Sequence, residues 1–79
     1  MNKSKKLVDV FAFNGSNVLL KLVTFFEKRG LKIQSINLFK TEKSNITRFN
    51  MIILSNENEL KKCCNQLFKF VETIDVKIS

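Results

Sequence analysis

The sequence predicts an α+β fold of ferredoxin-like βαββαβ order, a four-stranded antiparallel sheet with two helices on one face. Three observations carry that prediction. Leu7 to Phe13 and Ile74 to Ile78 alternate with the two-residue period of a strand. Val18 to Arg29 and Leu60 to Val71 space their apolar residues by threes and fours, as a helix does. Turn chemistry separates the segments, at Asn14-Gly15-Ser16-Asn17, Gly30, Glu42-Lys43-Ser44-Asn45 and Ser55-Asn56.

The first strand sets Val8, Val10 and Ala12 on one side and Leu7, Asp9, Phe11 and Phe13 on the other. Both sides are fairly apolar, so the strand belongs in the middle of the sheet. At the following turn, Ser16 or Asn17 can accept from the free N–H groups of a helix start. The first helix runs from Val18 to about Arg29, with Leu19, Leu22, Val23 and Phe26 as its apolar stripe and Lys21, Thr24 and Lys28 facing out. Gly30 suits the left-handed position past its end, where Lys28 and Arg29 complement the helix dipole. The second strand covers Leu31 to Thr41. Its apolar phase slips between Ile33 and Ile36, the signature of a bulge or a late start. A polar hairpin loop leads to a third strand, Ile46 to Leu54, apolar on both faces after Arg48 and therefore also central. Asn56 with Glu59 three residues later forms a capping box. The second helix carries Leu60, Cys64, Leu67 and Val71 inward. Ile74, Val76 and Ile78 then alternate with Asp75 and Lys77 as the fourth strand. Right-handed crossovers put strands one and three at the centre and strands two and four at the edges.

Composition bounds the chemistry. The 79 residues allow one domain. A chain this short buries only about 60% of its unfolded surface, so pairing with a second chain would help it. His, Tyr, Trp and Pro are absent, which removes the commonest general base and metal ligand. With Gly15 and Gly30 as the only glycines there is no phosphate-cradling loop, and no Cys/His spacing suits zinc. No cofactor or metal is expected in this chain, and no catalytic residues. Adjacent Cys63 and Cys64 make no disulfide framework; they suit a reducing cytoplasm and read as inert. No apolar run reaches the ~18 residues of a membrane span. The basic start is followed by a segment broken at Asp9, which does not read as a signal peptide. The net charge of +7 allows an acidic partner or nucleic acid, but the basic residues are spread along the chain with no run longer than two, as on an ordinary solvated surface.

Two features bear on function. The turn 14–17 feeds a helix N-terminus, a natural place for a carboxylate as well as an ordinary cap. Phe11 and Phe13 lie on the open sheet face, where aromatics can stack single-stranded RNA. The third strand, Arg48-Phe49-Asn50-Met51-Ile52-Ile53, lacks the glycine and aromatic spacing that such a sheet uses.

Arg29-Gly30-Leu31-Lys32-Ile33-Gln34-Ser35-Ile36 resembles the R-G-[YF]-N-I-[ED]-S-L signature of acetolactate synthase regulatory small subunits. Ile46-Thr47-Arg48-Phe49-Asn50-Met51 is similar to their L-S-R-[MF]-T-[IL] strand, and Gln66 to Val76 to their Q-L-x-K-L-[VI]-[DN]-V-[LI]-x-V close. The matches fall in order and span nearly the whole chain. The resemblance implies a single ACT domain over residues 5–79, preceded by a short basic tail at 1–4. It implies a cytoplasmic, non-catalytic subunit of branched-chain amino-acid biosynthesis. Its partner would be the large subunit, which holds thiamine diphosphate, Mg²⁺ and FAD, and its effect would be activation. It also implies a homodimer joined through the second-strand edge, with an amino-acid effector between the first turn of one copy and the second strand of the other. The positions matching that pocket are Asn14, Gly15, Ser16, Asn17 and Lys32. Two of them depart from the family: Asn17 stands where it has Gly, and Lys32 where it has Asn. Crowding by Asn17 and repulsion of an ammonium by Lys32 predict weak or absent valine feedback. Two other readings stay open, a free-standing ACT sensor of some other amino acid and a single-stranded RNA-binding sheet.

Overall fold

The computed structural model describes residues 3–14 and 17–79, the side chain of Phe70 excepted. Its elements run β1 (Ser4–Phe13), α1 (Val18–Lys28), β2 (Lys32–Lys40), β3 (Ile46–Ser55), α2 (Glu57–Phe70) and β4 (Thr73–Ile78). The sheet order is β2-β3-β1-β4, antiparallel throughout, so the expected central pair and edges are those observed.

The core lies between one face of this sheet and the two helices. Val8, Val10 and Ala12 of β1 and Phe49, Met51 and Ile53 of β3 point into it and are buried. From α2 come Leu60, Cys64 and Leu67, with Val71 just beyond the helix, as the spacing predicted. α2 begins with the expected cap: the Asn56 side chain accepts from the Glu59 N–H at 2.8 Å, while the returning bond of the box runs from the Asn56 side-chain amide, not its backbone N–H, to the Glu59 carboxylate at 2.6 Å.

α1 corrects its prediction. The buried stripe is Val18, Leu22, Phe25 and Phe26, while Leu19 is 39% exposed. Seven of the eleven residues in VLLKLVTFFEK are apolar, so several phases satisfy the same spacing rule. Tertiary packing chooses the phase that buries two aromatic rings, and Phe25 meets Phe26 edge-to-face at 5.2 Å. The Arg29 guanidinium stacks 3.7 Å over the Phe25 ring and reaches Gln66 of α2.

Two register shifts complete the sheet. In β2, Ile33 pairs with Ile53 and Ser35 with Ile52, leaving Gln34 as an added residue. This is the expected bulge. It lets Ile33, Ile36 and Leu38 all fall on the core side despite their uneven spacing. In β4, Asp75 pairs with Phe11 and Thr73 with Ala12. Ile74 is bypassed and 39% exposed, so it does not share the inward side of Val76 and Ile78 as alternation predicted.

Candidate functional site

Asn14 ends β1 beside the β2–β3 turn. Its backbone N–H donates to the Asn45 carbonyl at 2.8 Å. Its side-chain amide donates to the Ser44 carbonyl at 2.8 Å, and its side-chain oxygen accepts from the Thr47 hydroxyl. Asn14 therefore fastens one turn to another. A shallow cleft of about 340 Å³ opens here between Asn14 and residues 40–47. Sequence reasoning missed Ser44 and Thr47, because no local pattern marks a contact between residues thirty or more positions apart.

Gly15 and Ser16 lie outside the described residues. Of the two expected cap residues that leaves Asn17, the N-cap of α1, which makes no side-chain bond to the helix. Its backbone is left-handed, φ 67° and ψ 20°, and its carbonyl accepts from Lys21 N–H at 2.8 Å. That conformation gives a physical reason for a glycine here in the family resembled, with asparagine the next most tolerant residue. The first turn of α1 contains no acidic side chain, whereas that of α2 contains Glu57 and Glu59. A second cleft, of about 580 Å³, follows the outer flank of α1 past Asn17, Leu20, Lys21 and Lys28. Lys21 is bridged to Glu72 at 3.2 Å.

Lys32 starts β2 opposite Leu54, which pairs on its other side with Lys5. Asn14 follows Phe13, which pairs with Ile46. Between Leu54 and Ile46 the sheet extends roughly 25 Å, at ~3.3 Å per residue. One copy of the chain thus holds Asn14 and Asn17 near one end and Lys32 at the other. Antiparallel pairing of two β2 edges would return a second copy's Lys32 to the Asn14 end.

The open face carries a polar cluster within its apolar residues. Arg48 reaches both oxygens of the Asp9 carboxylate, at 3.1 and 3.2 Å, and Asn50 donates to it at 2.8 Å. Partial burial pulls the Asp9 pKa upward, but the bonds from Arg48 and Asn50 and the charges of Arg48 and Lys77 outweigh this and hold it below its ordinary value. On the helix side both cysteines are free. Burial pushes the Cys64 thiol up to about 11, and burial also raises Cys63 against the opposing charge of Arg29. Neither is disposed to react as a thiolate.

The solved structures include chains of the same architecture. The ACT domain of a GTP pyrophosphokinase from Chlorobium tepidum superposes with a TM-score of 0.78 at 16% identity, over 99% of this chain and 100% of that one. This chain has the fold of an ACT domain. The acetolactate synthase small subunit of Thermotoga maritima gives a TM-score of 0.84 at 24% identity, over 95% of this chain and 47% of that chain. In sequence the chain is similar to a probable acetolactate synthase small subunit from Archaeoglobus fulgidus, 28% identical over 72 residues, 91% of this chain and 45% of the relative. The acetolactate synthase small subunit of Bacillus subtilis is 27% identical over 73 residues, 91% of this chain and 42% of the relative. The chain thus spans less than half the length of these curated relatives. No family model matches it. Among the described residues, no helix is long and apolar enough to cross a membrane.

Proposed function

We propose that this ACT domain is a regulatory subunit of acetolactate synthase that binds and activates the thiamine-dependent large subunit, with weak or absent valine feedback. The observation that carries the reading is the likeness to acetolactate synthase small subunits along 91% of the chain. Three features favour poor effector binding. Asn14 already spends one N–H and one oxygen lone pair of its side chain on Ser44 and Thr47. Asn17 adds a side chain at the helix start. Lys32 would bring a positive charge toward an amino acid's ammonium group.

Homodimerisation through β2 is part of the proposal. β2 is an edge strand, and Leu38, on its core side, is 51% exposed. α1 overlies this part of the sheet with Leu19 39% exposed. A second copy would cover these residues and the unpaired strand together.

The deciding experiment measures acetolactate formation by the matching large subunit, with and without this chain, then with valine. Stimulation that survives valine supports the proposal. Stimulation abolished by valine keeps the subunit and refutes the reading of Asn17 and Lys32. An unaltered rate, with no complex on co-purification, refutes the assignment and leaves the free-standing sensor.

A further inference from the structure

The open face of the sheet is built to be covered. Leu7, Phe13 and Phe39 are each 48% exposed on it, and Phe11, Ile52 and Leu54 lie half-buried on the same face. By register the row Asn37, Asn50, Asp9 and Lys77 crosses this face, with Leu7, Ile52 and Leu54 on one side of it and Phe11, Phe13 and Phe39 on the other; exposed apolar patches of this kind mark interaction sites. The polar cluster at its centre does not obstruct burial. The Asp9 carboxylate is only 21% exposed and already takes three hydrogen bonds from Arg48 and Asn50. Removing water from the centre of the face therefore leaves the Asp9 carboxylate paired and avoids the usual cost of burying a lone charge there.

The charges around the patch select its occupant. By register, Lys5, Lys32, Arg48 and Lys77 share this face with Asp9 and Asp75. Arg48 is spent on Asp9, which leaves three lysines against one aspartate. Two copies laid face to face would oppose like charges, so self-association here is disfavoured. Single-stranded RNA is the weaker fit, because β3 presents Ile46, Arg48, Asn50, Ile52 and Leu54 to this face and no aromatic ring. Four strands at ~4.8 Å spacing give a footprint of roughly 400–600 Å², which suits a small specific protein interface of about 1,000 Å² in total.

We propose that the open face of the sheet docks on the large subunit, against an apolar patch ringed by carboxylates. This rests on the regulatory-subunit reading above. Binding of the full chain to the matching large subunit is measured by calorimetry at two salt concentrations. Leu7→Glu and, separately, Lys77→Glu are compared with Phe68→Glu, a control on α2 that is 50% exposed on the other side of the molecule. Circular dichroism checks folding, and Lys77→Glu keeps the test intact should Leu7→Glu fail to fold. The expected result is a Kd weakened about tenfold or more by Leu7→Glu and severalfold by Lys77→Glu, with Phe68→Glu near the parent value. Parent affinity in both open-face variants overturns the docking face while leaving the regulatory reading standing. Failure of the parent chain itself to bind overturns both. Binding of a mixed-sequence single-stranded RNA at low salt, lost on Phe11→Ala, would overturn the protein partner in favour of nucleic acid.

Discussion

Asn17 concentrates the difference between what a residue type suggests and what its backbone requires. In the sequence it reads as a helix cap; in the structure it occupies a left-handed turn and caps nothing with its side chain. Replacing it with glycine, which adopts φ 67° without a Cβ penalty, should stabilise the chain by about 0.5–1 kcal/mol. Thermal denaturation would show this as a rise of several degrees, at about 4–8 °C per kcal/mol for a domain of this size. Asn17→Val should lower the midpoint instead. Asp9 gives the second prediction at this scale. Its folded pKa lies below the ordinary value, so it adds stability above the unfolded pKa of about 4, and that stability is lost as pH falls through the folded value. Asp9→Asn should therefore be less stable than the parent at neutral pH and show a shallower loss below about pH 4, measured by urea unfolding across a pH series. The partners of Asp9 and Asn14 were not legible in the sequence. Arg48, Asn50, Ser44 and Thr47 reach them only through strand pairing, at separations of thirty residues or more.

Elements were legible wherever a local signal was unambiguous. The Asn56–Glu59 box and the four-three-four stripe of α2 identified that helix and its buried side. Asn56→Ala removes the cap and leaves the Glu59 N–H without that acceptor. The expected cost is ~1 kcal/mol, seen as a lower melting temperature at unchanged helical content of the folded state. α1 shows the opposite case. Its apolar excess fixed the helix but not its rotation, and Leu19, expected in the buried stripe, is exposed while Val18 and Phe25 are buried. The β2 bulge was readable because two apolar runs fell out of phase around Gln34. The β4 shift was not, because Ile74 continues a perfect alternation while the fold passes it by.

For the whole molecule, chain order and crossover handedness sufficed for the sheet order, and the absence of His and of glycine-rich loops from the sequence already narrows the chemistry. The proposed pocket was legible only as a set of positions, since Lys32 lies at the opposite end of the sheet from Asn14 in a single copy. Its completion needs the proposed second copy, which gives the molecular-scale prediction. Leu38→Glu, at an edge position 51% exposed, should leave the fold intact and convert a dimer into a species of about 9.2 kDa by analytical ultracentrifugation. A parent chain that already sediments at that mass would remove the β2 dimer.

The knot of hydrogen bonds at Asn14 has a thermodynamic corollary. The Asn14 amide keeps one N–H and one oxygen lone pair beyond its bonds to Ser44 and Thr47, so a ligand that draws Asn14 away from either partner would share one coupling free energy with opening of the β2–β3 turn. Reciprocity then works in both directions. A partner that clamps the turn closed weakens the ligand, and a partner that pries it open strengthens it by the same factor. For a ligand of the proposed pocket that acts in this way, the loop beyond the edge strand would be a dial on affinity that another protein could turn without approaching the pocket.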